Sequence, residues 1–265
     1  MQNKIFSIDE AKAAKSQAFG WLDAIHYMAP FDLAGVGNLC PHSTPGCRSL
    51  CLGEFSGQAA LAKPGEVSAV GKSRREKAVR FMTDRTAYLQ DVARSIGLAV
   101  KTANNRGLKP CVRLNGSTDI AWEGIQVVLT VQSARLISKA IGRDVQPATY
   151  RNLMDLFPEV QFMDYTKSAK RCQRKLPANY HLTLSRSEMN EQEALEHARN
   201  GGVVAVVFDK VPNTWHGLPV INGDKHDLRF LDAPGSIVGL EPKGNKAKRD
   251  QSGFVVRLAE GGANG

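Results

Sequence analysis

"GVVAVVFDK", residues 202–210, drives a valine-rich apolar run straight into an acid and a base. The run 203–208 is too short for a buried helix and rich in β-branched residues, the pattern of a strand covered on both faces. The same plan returns in PCVRLNGSTD (110–119), EVQFMDYTK (159–167), YHLTLSRSE (180–188), LPVINGDKHD (218–227) and SIVGLEPKG (236–244). Each run ends in polar or charged residues. Helix-length segments separate several of them, as EMNEQEALEHARNGG (188–202) does, with helix formers followed by glycines suited to a C-cap. Strand and helix alternate, which predicts an α/β fold with a largely parallel sheet, read here as a partial or complete TIM-like (βα) barrel.

In such a fold the carboxyl ends of the strands share one rim, and chemistry collects there. The rim would gather Arg113, Asn115 and Asp119, then Asp164 and Lys167, then Arg186 with Glu188, then His226 and Asp227, then Lys243. Asp119, Asp164, Asp227 and His226 are the candidates for acid–base work. His226 stands out because an imidazole titrates near neutrality and acids accompany it in sequence. Arg113, Asn115, Lys167, Arg186 and Lys243 are the candidates for holding an anionic substrate.

The first half reads differently. In SRREKAVRFMTDRTAYLQDVARSIGLAV (73–100), Val79, Met82, Leu89, Val92 and Ile96 recur at helical steps, predicting one long amphipathic helix starting near Ser73. IQVVLTVQSARLISKAIG (125–142) fits strand or helix, its second half helix. AIHYMAPFDLAGVG (24–37) supplies the first strand, so the loop after it joins the same rim.

That loop is NLCPHSTPGCRSLCLG (38–53), in which Cys40, Cys47 and Cys51 stand at a C-x6-C-x3-C spacing. The first 25 residues lack a signal peptide's apolar run, and no window approaches the ~20 apolar residues of a membrane span. The expectation is a cytoplasmic protein, where clustered cysteines mean metal or catalysis more often than disulfides. Structural zinc wants two pairs of ligands, and only Cys47 and Cys51 form a close pair. A 4Fe-4S cluster can be held by three cysteines in one loop, leaving one iron for another ligand. The cluster is therefore the expected cofactor and zinc the alternative.

The 265 residues, 42% hydrophobic and 23% charged, are read as a single domain over 1–265, with 1–20 an N-terminal extension and 259–265 a flexible tail. A net charge of +9, concentrated in KSRREKAVR (72–80), KSAKRCQRK (167–175) and KGNKAKR (243–249), implies an anionic partner, a small molecule or nucleic acid. Nothing points to a membrane.

Two resemblances add to this reading. A three-cysteine loop after the first strand of a βα fold resembles the radical SAM enzymes, which implies S-adenosylmethionine as a cosubstrate. The spacing departs from their C-x3-C-x2-C, and LNGSTD (114–119) stands where they carry a glycine-rich segment. Taken together, LCPHSTPGCRSLCLG, VRLNGSTDIAWEG, LFPEVQFMDYTK, YHLTLSRSE, GDKHDLRFLD and GLEPKGNKAKRDQSGFV are similar to the phage family called gene product 88, over roughly residues 20–258. This resemblance implies a phage or prophage origin and expression in a bacterial cytoplasm.

Overall fold

The computed structural model describes residues 4–55 and 67–258. In chain order its elements begin with β1 (Phe6–Ser7), α1 (Ala11–Gln17), β2 (Trp21–His26), α2 (Pro45–Ser49), α3 (Leu52–Phe55), α4 (Ala69–Thr83), α5 (Arg85–Asn105) and β3 (Lys109–Arg113). They continue with β4 (Val127–Val128), α6 (Val131–Ile141), β5 (Thr149–Tyr150), α7 (Leu153–Leu156), β6 (Gln161–Thr166), α8 (Ala169–Cys172) and β7 (Tyr180–Ser185). The last are α9 (Glu191–Arg199), β8 (Val204–Val207), β9 (Thr214–Trp215), β10 (Leu218–Asn222), β11 (Ile237–Leu240) and α10 (Asn245–Lys248).

Each of the six apolar runs with a polar end is a strand. They enter one nine-stranded sheet in the order β1-β2-β3-β6-β7-β8-β11-β10-β9, while β4 and β5 form a separate antiparallel pair. β2, β3 and β6 run parallel, and so do β7, β8, β11 and β10. The fold is therefore α/β with a mostly parallel sheet.

The barrel is not formed, and its expectation is corrected. Closure would require the outer parallel strands, β2 and β10, to find each other. Instead β2 pairs outward with β1, antiparallel, and β10 pairs outward with β9, antiparallel. Two-residue caps of this kind end a sheet with little exposed edge. The segment expected as an extension carries β1 and α1, with Phe6, Ala13 and Ser16 buried. The expected tail, 259–265, lies outside the described residues.

Valine and isoleucine dominate the central strands because both faces are covered. Leu184, Val204, Val206, Phe208 and Ile237 pack with Ala194, Leu195 and Ala198 of α9. Each fully buried aliphatic side chain contributes roughly 1.5–3 kcal/mol. β2 begins at Trp21, earlier than expected, and residues 27–40 form the loop after it.

The long helix expected from Ser73 is two helices meeting at Asp84. There the backbone leaves the helical region (φ −141°, ψ 57°). Asp84 N–H donates to the Arg80 carbonyl at 2.8 Å, and its own carbonyl accepts from Tyr88 N–H at 3.0 Å, so one residue ends α4 and begins α5. The break sets the Phe81 ring edge-on to Tyr88, centroids 6.2 Å apart. Periodicity alone could not show it, because the apolar stripe resumes in phase. The ambiguous 125–142 segment also divides: β4 comes first, then α6, whose N-cap Thr130 accepts from Ser133 N–H and whose C-cap Gly142 is left-handed.

The described residues fall into two compact units. The first takes in 4–40, 69–164 and 175–181, and the second the remainder.

Candidate functional site

In the first unit the candidate residues follow β3. The Asn115 side chain organises the LNGSTD turn: its Oδ1 accepts from Thr118 Oγ1 (2.8 Å), Ile120 N (3.0 Å) and Trp122 Nε1 (3.0 Å), and its Nδ2 donates to the Ile120 carbonyl (2.9 Å). Asn115 N donates to Asp164 Oδ1 at 2.6 Å, and Tyr180 OH donates to Asp164 Oδ2 at 2.9 Å. A carboxylate so held is a strut between strands. β6 runs on to Thr166, which leaves Asp164 inside the strand and 1% exposed rather than at the rim. Arg113, Asn115 and Asp119 are also buried.

The same turn is tied to the loop that leads to Cys40. Gly116 N donates to the His26 carbonyl (2.9 Å), Asp119 N to that of Leu39 (2.9 Å), and Ser117 Oγ to that of Met28 (2.6 Å). Cys40 is buried, and its Sγ lies 3.7 Å from the Ser117 carbonyl. Gly116 is required by this approach: a Cβ there would lie 2.6 Å from the His26 oxygen.

His26 is a buried group that the sequence reading did not single out. Its Nδ1 is 3.0 Å from the Leu114 carbonyl and its Nε2 2.6 Å from Tyr88 OH. A carbonyl only accepts, so Nδ1 carries the proton and Nε2 accepts from the tyrosine. Burial, then the Lys77 charge, lowers the His26 pKa to about 3. The ring is a neutral post inside the unit. Cys111, fully buried in β3, has its thiol pushed up by burial and by the charges of Asp23 and Asp164.

The second unit holds Cys47 and Cys51. Thr44 caps α2 by accepting from Cys47 N–H at 3.2 Å. Glu188, from the segment after β7, grips the same helix start: Oε1 accepts from Gly46 N at 2.8 Å and Oε2 from Thr44 Oγ1 at 2.9 Å. Leu50, between the two cysteines, packs with Ala247 of α10 and with Val255 and Phe254. Burial pushes the Cys51 thiol up to about 11, and the neighbouring Cys47 adds to the rise.

The second unit also holds several of the expected substrate ligands. Arg186 is buried, with its guanidinium on Glu191 and on the Gly253 and Phe254 carbonyls. Lys167 donates to Ser185 Oγ at 2.9 Å and lies 4.9 Å from the centre of the Phe254 ring. Lys243 pairs with Asp224 at 3.3 Å. His226 is half-buried; burial and then Arg229 lower its pKa, and Arg229 Nη2 sits 3.3 Å from its Nδ1. Since Arg only donates, that nitrogen is the acceptor and the proton belongs on Nε2. Arg229 is itself held by Asp232 at 3.1 Å, while Asp227 accompanies His226 in the same turn.

None of the five cysteines is in a disulfide. Cys40 belongs to the first unit, and Cys47 and Cys51 to the second. Among the described residues no group of three or more His, Cys, Asp and Glu side chains is placed to hold a metal ion. A cavity of about 420 Å³ in the first unit, lined by Ile5, Phe6, Arg94, Leu98 and Leu136, contains none of the expected site residues. Phe254 and His26 were missing from the expected site and carried no signal. Glu188 was expected on the rim, from its place after a strand, but without a role.

An open, mostly parallel α/β sheet with a cysteine-bearing helix capped by a strand-end carboxylate defines the class of this protein. The chain belongs to the Gene product 88 family, a family of phage proteins, whose model matches residues 4–258. No curated protein and no solved structure matches it. Among the described residues no helix is long and apolar enough to cross a membrane.

Proposed function

We propose that the protein is an iron–sulfur protein in which Cys40, Cys47 and Cys51 ligate a 4Fe-4S cluster that serves redox or radical-type chemistry on an anionic substrate. The observation that carries the reading is the pair Cys47 and Cys51 on either side of Leu50, with Leu50 packed on the basic tract that contains Ala247. One thiol on a short, capped helix and a second just beyond its end fit as cluster ligands, because a cation would draw off the proton that burial otherwise keeps on Cys51. When bound, such a cluster supplies one-electron transfer, and its fourth iron is open to a small molecule or non-cysteine side chain.

The protein's own residues divide the remaining work. Lys167 and Lys243 bind the anionic group. Arg186 positions the segment that carries Phe254. His226 is the acid–base candidate, a neutral imidazole with its proton on Nε2, and Asp227 accompanies it. Asp164 and Asn115 serve the architecture instead. S-adenosylmethionine is left out, because the LNGSTD turn spends its polar groups on internal hydrogen bonds.

Anaerobic purification followed by iron, sulfide and zinc analysis tests the reading. Iron and sulfide in near-equal amounts, with brown colour, are expected, and single Cys→Ser changes at 40, 47 and 51 should each remove them. Cys111→Ala and Cys172→Ala should leave cluster content unchanged. A colourless, zinc-loaded protein would overturn the proposal in favour of a structural zinc site.

A further inference from the structure

We infer that the basic tracts beside the cysteine helix form a docking surface for the phosphate backbone of a nucleic acid. This rests on the anionic-substrate part of the reading above and deepens it by naming the substrate class; it does not require the cluster.

The two tracts are remote in sequence, at 167–174 and 243–249, and Phe254 joins them. The Lys167 ammonium lies 4.9 Å from the Phe254 ring centre, and Phe254 packs against Leu50, Ala247 and Val255. Ala247 is the buried anchor of α10, and the residues around it, Lys246, Lys248 and Arg249, are exposed. Lys170 and Arg174 are exposed as well.

Four acids of this unit have partners of their own, while Glu193, Glu196 and Glu241 stand exposed. Glu188 holds Gly46 and Thr44, Glu191 holds Arg186, Asp224 pairs with Lys243, and Asp250 accepts from Ser252 and Val255. Among the described residues, Lys170, Arg174, Lys248 and Arg249 enter no ion pair.

Exposed cations hold a small anion poorly, because water and salt screen each one. A polymer gains at every phosphate, since each contact releases a condensed counterion. A lipid surface is disfavoured: α10 is a single four-residue turn whose apolar residue is already buried, so it has no apolar face to insert. An acidic protein would use the cations alone, whereas Phe254 beside Lys167 adds an aromatic ring to the basic surface, the combination that single-stranded nucleic acids use.

The test is fluorescence anisotropy of the full chain with labelled single-stranded and duplex DNA oligonucleotides across a potassium chloride series. Binding to at least one probe is expected, with log affinity falling against log salt at a slope of about −3, the value for roughly four phosphate contacts. The double variant Lys248→Glu/Arg249→Glu should weaken binding about ten-fold or more and flatten that slope by about 1.5. Arg135→Glu/Lys139→Glu on α6, an equal charge change in the first unit, should stay within about two-fold of the parent. Circular dichroism and melting of the same samples confirm folding. No binding of either probe, or equal losses in both double variants, would overturn the inference. Iron and sulfide assays on those samples separate the two readings. DNA binding by iron-free protein supports the surface while overturning the cluster, and cluster-loaded protein that ignores DNA overturns the surface alone.

Discussion

The Glu188 carboxylate accepts the Gly46 N–H at 2.8 Å, fixing the start of the helix that carries Cys47 to a segment 142 residues away in the chain. Its second oxygen takes the Thr44 hydroxyl. Both oxygens must accept, which a carboxamide cannot match. Glu188→Gln is expected to lower unfolding free energy by about 1–3 kcal/mol and to reduce bound iron. Denaturant unfolding with iron analysis checks this; full stability and full iron would show that the grip on α2 is dispensable.

Gly116 tolerates no side chain. A Cβ would stand 2.6 Å from the His26 oxygen and 2.7 Å from Tyr27 Cδ1, both in the adjacent strand's exit. Gly116→Ala should cost about 1–3 kcal/mol. Gly124→Ala, where nothing lies within 4 Å of the new methyl, should change stability by less than about 0.5 kcal/mol. Equal melting temperatures for the two variants would refute the close approach.

His26 makes the first unit sensitive to acid. Its folded pKa is lowered to about 3 from an ordinary 6.5, so between those values the unfolded chain binds the extra proton. The stability of the neutral ring is complete above pH 6.5 and lost as pH falls toward 3, at up to about 1.4 kcal/mol per pH unit. His26→Gln should be less stable at neutral pH but lose less on acidification. Parallel pH dependences of parent and variant between pH 4 and 6 would contradict the assignment.

Lys77 is shifted in the same direction, at the other end of the scale. It is buried, donates to the Lys4 and Ile5 carbonyls at 3.4 Å, and burial lowers its pKa to about 8 from 10.5. Folding therefore disfavours its proton. The cost is complete below pH 8 and fades as pH rises toward 10.5, so stability rises across that window. Lys77→Met should raise the melting temperature at pH 7 and flatten the rise above pH 8, as melting curves recorded across that range would show. A variant less stable than the parent at pH 7 would mean that the two carbonyl contacts outweigh desolvation.

The strands were legible because a strand covered on both faces is mostly apolar, and a cluster of polar residues commonly follows its end. Val203–Phe208 followed by Asp209 shows both signals. The Asp84 break was not legible, since Leu89, Val92 and Ile96 continue the stripe of the preceding helix. The partners of the candidate site residues were not legible. Arg186 was expected as a substrate ligand and Asp164 as an acid–base residue at strand ends, and tertiary hydrogen bonds occupy them both with other parts of the chain.

Local sequence determined the α/β class, the six core strands, the capped helices and the density of thiols in one loop, because propensity, burial pattern and capping act over a few residues. It also fixed the excess of positive charge. Only the tertiary structure decided that the sheet stays open, because closure depends on whether β1 and β9 or each other occupy the outer edges of β2 and β10. Likewise it decided that Glu188 holds the cysteine helix and that Phe254 joins two basic tracts. Such pairings join residues far apart in the chain, and no short-range pattern encodes which distant partner an exposed hydrogen-bonding group or ring will meet.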